Sequence, residues 1–238
     1  MYAQGARANK RSLALALTPA QAAWRKQQRG QLLAARSAAA VQDRAAWGAA
    51  INASLREALD LKAPCVLGLC WPYHAEFDAR ALAAHLRARG VRSALPVVRG
   101  PGLPLEFRHW WPGAPMDKGV YDIPVPRATE VLVPDVLLVP PVGIDAQGYR
   151  LGYGGGYFDR TLAALARKPV CIATAYELSR IVSLHPQAHD VRMDFVVTET
   201  GIVQCLPEGM RAIDATRCRL AVQQLLAERA NSSDCTLH

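Results

Sequence analysis

Three short, continuous apolar runs limit the folds open to this 238-residue chain more than any other feature. They read PCVLGLCW (64–71), DVLLVP (135–140) and PVCIATA (169–175). A continuous apolar run of this length is typical of a strand that is buried on both faces, as in a parallel sheet. A helical pattern separates each run from the next, and such a sheet needs helices as a cover. The runs therefore predict an α/β fold.

The remaining elements follow from periodicity and from helix start signals. Thr18, Pro19 and Gln21 form an N-cap, a first-turn proline and the partner of a capping box, which predicts a helix start. We expect helices at 18–37, 42–59, 78–90, 157–168 and 214–229, further strands at 91–98, and strand pairs within 94–110 and 194–206. The proline-rich stretch 111–134 has no period and is expected to be an ordered loop.

This order predicts a single-domain, mostly parallel sheet with helices on both faces, an open α/β sandwich. No stretch is long or polar enough to serve as an interdomain linker. We divide the chain into a flexible N-terminal extension (1–20), the α/β domain (21–206) and a C-terminal helix with a tail (207–238).

The charge is concentrated at one end of the chain. Residues 1–50 carry seven of the eight net positive charges, so the body is nearly neutral. This excess indicates either a solvated helix face or contact with phosphates or another polyanion. RNA is one such polyanion, but the aromatic-basic interleaving of RNA-binding domains is absent from the sequence.

Cysteine spacing and hydropathy indicate the compartment. The six cysteines form no C-x-x-C pair and no disulfide framework, which fits reduced thiols. The apolar patch LALAL (13–17) is shorter than the core of a secretory signal, and no apolar run approaches the ~18 residues that cross a membrane. We expect a cytoplasmic protein without a membrane partner.

The sequence LGYGGGYFDR (151–160) lies between a predicted strand and a predicted helix, where open α/β sheets bind ligands. Glycines there let backbone N–H groups approach a phosphate, although many such stretches are simply tight turns. The spacing matches neither G-x-G-x-x-G nor the P-loop. Arg150 offers a guanidinium fork for phosphate oxygens. Asp159 is suited either to Mg²⁺ or to complementing the helix dipole.

At these residues the chain resembles a known family. GIDAQGYRLGYGGGYFDRTL (143–162) is similar to the signature of the 5-formyltetrahydrofolate cyclo-ligases, with Phe158 at the second aromatic position. Weaker matches follow in the expected order over most of 22–198. They include the basic pair Arg25 and Arg29, YHAEFD with Glu76, and HDVRMDFVVTE from His189 onward.

The resemblance implies an enzyme that uses ATP as co-substrate and Mg²⁺ as cofactor to close 5-formyltetrahydrofolate to 5,10-methenyltetrahydrofolate. Arg150 and Tyr157 are the expected catalytic residues, and Asp159 and Asp190 the expected metal ligands. The implied ATP-binding residues are Arg25, Arg29, Arg150, Leu151, Gly152, Tyr153, Gly154, Gly155, Gly156, Tyr157 and Phe158. The implied substrate-binding residues are Trp71, Glu76, Tyr153, Gly154, Gly155, Gly156 and Tyr157.

Two other interpretations stay open at this point. One is a relative that binds a nucleotide or a folate without closing the ring, because the chain departs from the family pattern at Val125, Ser179 and His185. The other is a basic RNA-associated protein that uses its N-terminal helices. Our expectation is a monomer that acts on ATP and a reduced folate, without a nucleic-acid partner.

Overall fold

The computed structural model describes residues 17–234. Within them the α-helices are α1 (Pro19–Ala38), α2 (Val41–Ala58), α3 (Arg80–Arg87), α4 (Tyr157–Ala164) and α5 (Ala215–Asp234). The strands are β1 (Val66–Gly68), β2 (Arg92–Val98), β3 (Leu105–Trp110), β4 (Met116–Lys118), β5 (Pro124–Pro126), β6 (Val136–Val139), β7 (Gly143–Asp145), β8 (Arg150–Leu151), β9 (Val170–Thr174), β10 (Arg180–Ile181), β11 (Phe195–Thr198), β12 (Gly201–Leu206) and β13 (Gly209–Ile213).

The main sheet has eight strands in the order β13-β12-β11-β9-β6-β1-β2-β3. The five strands from β11 to β2 are parallel to one another, whereas β3, β12 and β13 pair antiparallel at the edges. The three apolar runs of the sequence supply the neighbouring strands β1, β6 and β9. The prediction of a mixed α/β fold with a mostly parallel sheet is therefore confirmed.

Alternate strand residues pack on opposite faces of the sheet, and both faces are covered. In β6, Val136 and Leu138 pack in the cluster that holds buried residues of α2, α3 and α5. Leu137 and Val139 pack in a second cluster, with Leu162 of α4. Because a strand residue buried on either face must be apolar, these strands read as continuous apolar runs.

Helix α1 packs against a small second sheet that carries the glycine-rich stretch. This sheet has the order β10-β7-β8, and β7 and β8 form an antiparallel hairpin. Leu32 of α1 is buried with Leu151 of β8 and with Leu184. The predicted capping box at Thr18 is confirmed, since the Thr18 hydroxyl accepts from the N–H of Gln21 and the Gln21 side chain accepts from the N–H of Thr18.

Six short strands were not predicted. The stretch 111–134, expected to be a loop, contains the two-stranded sheet β4-β5, so that prediction is wrong. The hairpin β7-β8 and the strands β10 and β13 were also missed. Strands of two to five residues show too little alternation for periodicity to identify them, and β5 begins and ends with proline. Strand β13 extends the main sheet into the region predicted as C-terminal helix and tail.

Residues 1–16 of the expected N-terminal extension, together with Cys235 and the last three residues, lie outside the described residues. The domain boundaries at 20 and 206 stay a prediction. Asp214 accepts from the N–H of Arg217 at 2.7 Å, as expected of the residue that caps the last helix. Across residues 17–234, none of the helices combines the length and apolar character that a membrane span requires.

Candidate active site

The glycine-rich stretch between β8 and α4, residues 152–156, is called the glycine loop below. Gly154 has a φ of 100° and Gly156 a φ of 63°, a region of backbone conformation that side chains disfavour. A Cβ on Gly155 would lie 2.8 Å from the ring of Tyr157. Helix α4 has no side-chain hydrogen bond at its N-cap, so its first N–H groups are available to a ligand.

Arginines surround the glycine loop on both sides. Arg29 of α1 donates from Nε to the carbonyl oxygen of Gly152 at 2.7 Å. Arg160 of α4 donates to the carbonyl oxygen of Gly155 at 2.5 Å, and its guanidinium lies over the ring of Tyr157. The loop carbonyls are thus held by guanidinium groups. This arrangement places two guanidinium groups, those of Arg29 and Arg160, directly beside the loop.

Arg150 is held beneath the glycine loop. Its side chain is 4% exposed, and it donates to the carbonyl oxygen of Val191 at 2.8 Å and to Asp159 Oδ1 at 2.5 Å. The guanidinium also lies 5.9 Å from the ring centroid of Phe158. Asp159 is more accessible, at 27% exposed. Arg150 precedes the loop in the sequence and Asp159 follows it, and the fold joins the two in one ion pair.

Asp190, the second expected metal ligand, is paired with Arg25 of α1. Arg25 Nη2 lies 2.7 Å from Asp190 Oδ2, which also accepts from the N–H of Gln187. Burial raises the pKa of Asp190, but the hydrogen bonds from Arg25 and from the Gln187 N–H outweigh it, so the net pKa is lowered. Asp190 is therefore a carboxylate at neutral pH.

These two aspartates fit only one kind of metal site. In the part of the chain that the structure describes, no group of three or more His, Cys, Asp or Glu side chains is arranged to hold a metal ion. Mg²⁺ commonly takes one or two carboxylates and completes its shell with water and substrate phosphates. Asp159 and Asp190 could supply such carboxylates to an ion that arrives with a phosphate. Their role as metal ligands stays a prediction.

Glu76, which follows β1, contacts the glycine loop directly. Tyr153 donates its hydroxyl hydrogen to Glu76 Oε1 at 2.6 Å, and the N–H of Tyr73 donates to Glu76 Oε2 at 3.0 Å. Arg36 of α1 donates to the Tyr153 hydroxyl at 2.8 Å and lies 3.9 Å from Glu76 Oε1. Burial raises the pKa of Glu76 to about 7, against the opposing effects of Tyr153, Arg36 and the Tyr73 N–H.

An aromatic surface adjoins this cluster. The rings of Tyr73 and His74 lie 5.8 Å and 6.1 Å from the ring of Tyr153. His74 and Ala75 have φ values of 46° and 60°, so the backbone turns sharply just before Glu76. Stacked rings beside a buried carboxylate suit a flat heterocycle that carries hydrogen-bond donors.

Trp71 lines a separate cleft in the same segment. The cleft has a volume of about 430 Å³, which is within the range of small-molecule sites. The Arg80 guanidinium lies 4.3 Å from the centroid of the Trp71 ring, and Trp110, which also lines the cleft, packs edge-on against Trp71. Asp78, which also lines the cleft, binds Arg80 with both carboxylate oxygens. The structure thus places Trp71 and Glu76 on one segment without a direct contact between them.

Arg36, Tyr73 and His74 are residues of the candidate site that sequence reasoning missed. For Arg36 the signal was the spacing of Arg25, Arg29 and Arg36, four and seven residues apart, which puts all three on one side of α1. Arg25 and Arg36 are buried, with exposures of 7% and 3%. The interpretation of these two as a solvated helix face is therefore wrong, and neither is free to meet an RNA backbone.

His185 departs from the family pattern, but the hydrogen bonds between Arg25 and this segment use only its main chain. Arg25 donates to the carbonyl oxygens of Leu184 and His185, at 3.4 Å and 3.2 Å. Because these are main-chain acceptors, the contact does not depend on the side chain at position 185. His185 does have a φ of 51°, and its ring packs edge-on against Trp24.

Fold and site together define an open-sheet α/β protein whose candidate site is built around an arginine-held glycine loop. A sequence profile described as the 5-formyltetrahydrofolate cyclo-ligase family matches residues 21–199. The chain belongs to this family, and the resemblance found at 143–162 is confirmed.

Relatives and solved structures agree with this assignment. The chain is 35% identical to the 5-formyltetrahydrofolate cyclo-ligase of Mycolicibacterium smegmatis over 141 residues, which are 56% of this chain and 73% of the relative. The NMR structure of Aquifex aeolicus 5,10-methenyltetrahydrofolate synthetase has 25% identity and a TM-score of 0.67, over 80% of this chain and 96% of the other. The Mycoplasma pneumoniae 5,10-methenyltetrahydrofolate synthetase, at 24% identity, has a TM-score of 0.61 over 74% and 98% and shares the fold.

Proposed function

We propose that the chain catalyses the ATP- and Mg²⁺-dependent cyclisation of 5-formyltetrahydrofolate to 5,10-methenyltetrahydrofolate, with release of ADP and phosphate. The family assignment supports a cyclo-ligase activity. One structural observation carries the rest. The glycine loop, bound by Arg29 of α1, lies in direct contact with Glu76 through Tyr153, so the proposed phosphate site and the proposed heterocycle site would adjoin.

The reaction must turn a poor leaving group into a good one. A formamide carbonyl is a weak electrophile, and its oxygen does not leave unaided. Transfer of the γ-phosphoryl group from ATP to the formyl oxygen forms an O–P bond and releases ADP. The second folate nitrogen then attacks the same carbon and loses its proton to solvent, the C–O bond breaks, and phosphate leaves as the ring closes. Such a sequence needs alignment and charge neutralisation more than an acid–base side chain.

The residues around the glycine loop supply that neutralisation. The N–H groups of the loop and of the first turn of α4 would bind the phosphates, as an uncapped helix start favours. Arg29 and Arg150 would offset the charge of the transferred group, and Arg25 would act through Asp190. Mg²⁺ held by Asp159 and Asp190 would neutralise phosphate oxygens. Tyr157, at the start of α4, would border the reacting groups and help to exclude water.

Glu76 and the aromatic residues would hold the folate. A carboxylate accepts hydrogen bonds from the amino groups of a pterin, and Tyr73, His74 and Tyr153 provide flat surfaces beside it. The cleft at Trp71 lies on the same segment and has room for a further part of the substrate. We place the enzyme in the cytoplasm as a monomer.

One assay tests the function. With ATP, Mg²⁺ and 5-formyltetrahydrofolate, the purified protein should produce the near-ultraviolet absorbance band of methenyltetrahydrofolate. Omitting ATP should abolish the band, because the formyl oxygen then remains a poor leaving group. A protein that binds both ligands in calorimetry yet forms no band would instead be the non-catalytic relative.

The pH dependence should report Glu76. Its pKa of about 7 is raised from the ordinary value, so the carboxylate form that accepts from a pterin is lost as pH falls through 7. We expect kcat/KM for 5-formyltetrahydrofolate to fall about tenfold per pH unit below that point. His74→Gln is the control, because His74 is the histidine of the aromatic surface beside Tyr153, and the acid limb of this variant should keep the wild-type midpoint. A limb that moves with His74 would contradict the assignment to Glu76.

A further inference from the structure

Arg36 joins three parts of the chain at one buried point. From α1 it donates to the carbonyl oxygen of Pro141, which precedes the β7-β8 hairpin, and to the hydroxyl of Tyr153 in the glycine loop. It also lies 3.9 Å from Glu76, and the two side chains are 4% and 3% exposed. None of the roles proposed above uses this residue.

We propose that Arg36 is a positioning residue that acts through Tyr153. It would hold the glycine loop at one fixed distance from Glu76, the side chain proposed to bind the folate. The inference rests on the proposed function, because it assigns one ligand to each side of the contact. The fixed spacing would keep the formyl group in line with the phosphoryl group that it receives.

The polarity of the hydrogen bonds supports this role. A guanidinium group can only donate, so the Tyr153 oxygen accepts from Arg36 and the Tyr153 hydrogen is directed to Glu76. Glu76 is thereby kept as an acceptor on both oxygens, with the N–H of Tyr73 on the second. A folate amino group then meets a carboxylate that is already oriented.

Stability alone does not explain Arg36. Among the described residues, Arg36 Nε is buried without a hydrogen-bond partner, which costs free energy. Replacing a buried ion pair by apolar side chains is often neutral or stabilising. Apolar side chains at both position 36 and position 76 would fill the same space without the unpaired donor. The buried charge of Arg36 is therefore better explained by its hydrogen bond to Tyr153 and its proximity to Glu76.

The groups that face Glu76 come from three places. Arg36 faces it from α1, Tyr153 from the glycine loop, and the Tyr73 N–H and Cys70 from the segment after β1. Burial and the Glu76 charge both raise the pKa of Cys70, so this thiol stays neutral and adds no charge. Arg36 is the cation among these groups, and its loss should raise the pKa of Glu76.

The test is a double-mutant cycle with Arg36→Met, Tyr153→Phe and both changes together. Each single change should lower kcat/KM for 5-formyltetrahydrofolate about 10- to 100-fold and move the acid limb to higher pH. The kcat/KM of the double variant should be within about threefold of that of the less active single variant, because both changes break the same chain of hydrogen bonds from Arg36 through Tyr153 to Glu76. Arg36→Lys, which keeps the charge, should keep the limb closer to the wild-type midpoint.

Arg108→Met is the matched control. Arg108 is a partly buried arginine of β3 that donates to the carbonyl oxygen of Thr129, outside the candidate site. The Arg108→Met variant should be less stable than the wild type, but the midpoint of the acid limb of its pH profile should not change. The proposal would be overturned if the two losses of kcat/KM multiplied in the double variant. It would also be overturned if the acid limb of the pH profile kept its wild-type midpoint in Arg36→Met. If Arg36→Met does not fold, Arg36→Lys and Tyr153→Phe carry the same comparison.

Calorimetric binding of 5-formyltetrahydrofolate separates this proposal from the proposed function. An inactive wild-type chain that binds the folate would refute the cyclisation. In that case Arg36→Met, Tyr153→Phe and the double variant should still weaken folate binding, with losses of binding free energy that do not add. Additive losses would refute the role of Arg36.

Discussion

Replacing Asp159 by alanine should lower turnover at least about 100-fold while the chain stays folded. The change removes a carboxylate proposed to hold Mg²⁺ against the phosphates. It also leaves Arg150 with the carbonyl oxygen of Val191 as its hydrogen-bond acceptor among the described residues. Because that contact remains, we expect the melting temperature to fall by only about 2–4 °C. The rate is measured from the methenyltetrahydrofolate band, and the fold by circular dichroism.

Asp159→Asn separates charge from shape. Asparagine keeps an oxygen that can accept from Arg150 but lacks the negative charge that a hard cation requires. We expect it to lose activity nearly as fully as alanine, and to need more Mg²⁺ for half of its residual rate. Glu106→Gln is the control, because Glu106 is 26% exposed and pairs with Arg108 in β3. Undiminished turnover in Asp159→Ala would remove Asp159 from the metal site.

The sheet could be predicted because its central strands are buried on both faces. An apolar requirement at every position leaves a signal that a single sequence carries, as in 135–140 for β6. The β7-β8 hairpin left no such signal, because its strands have three and two residues. Its turn is held by Asp145, whose carboxylate accepts from the N–H groups of Gln147, Tyr149 and Leu184. The last of these lies in a different segment, which no local pattern reveals.

The site could be predicted where a motif is continuous and missed where it is assembled in space. Arg150 to Asp159 is a single stretch, so the sequence alone singles it out as a candidate site. Arg36 lies 117 residues from Tyr153. Basic side chains on a helix are ordinarily solvated, so the sequence alone left exposure and contact with a polyanion both open. Only the packing of α1 on the β7-β8 hairpin shows that Arg36 is buried.

Gly154→Ala should weaken nucleotide binding by about tenfold or more, and lower turnover with it. At a φ of 100° an alanine is strained, and its Cβ would lie 3.4 Å from the guanidinium carbon of Arg29. Relief of the backbone strain moves the loop N–H groups, and the added carbon comes into van der Waals contact with Arg29, which donates to the carbonyl oxygen of Gly152. Calorimetry with ADP and with a non-hydrolysable ATP analogue measures the dissociation constants.

Gly102→Ala isolates the backbone strain from the effect on the site. Gly102, in the turn between β2 and β3, has a φ of 73°, and a Cβ there would have no atom within 4 Å. Both alanine variants should lose about 1–3 kcal/mol of unfolding free energy in urea. The loss of nucleotide affinity should be confined to Gly154→Ala, because only there does the added carbon meet a group that binds the loop. Equal nucleotide affinity in both variants would mean that the glycine loop is a tight turn and that the phosphates bind elsewhere.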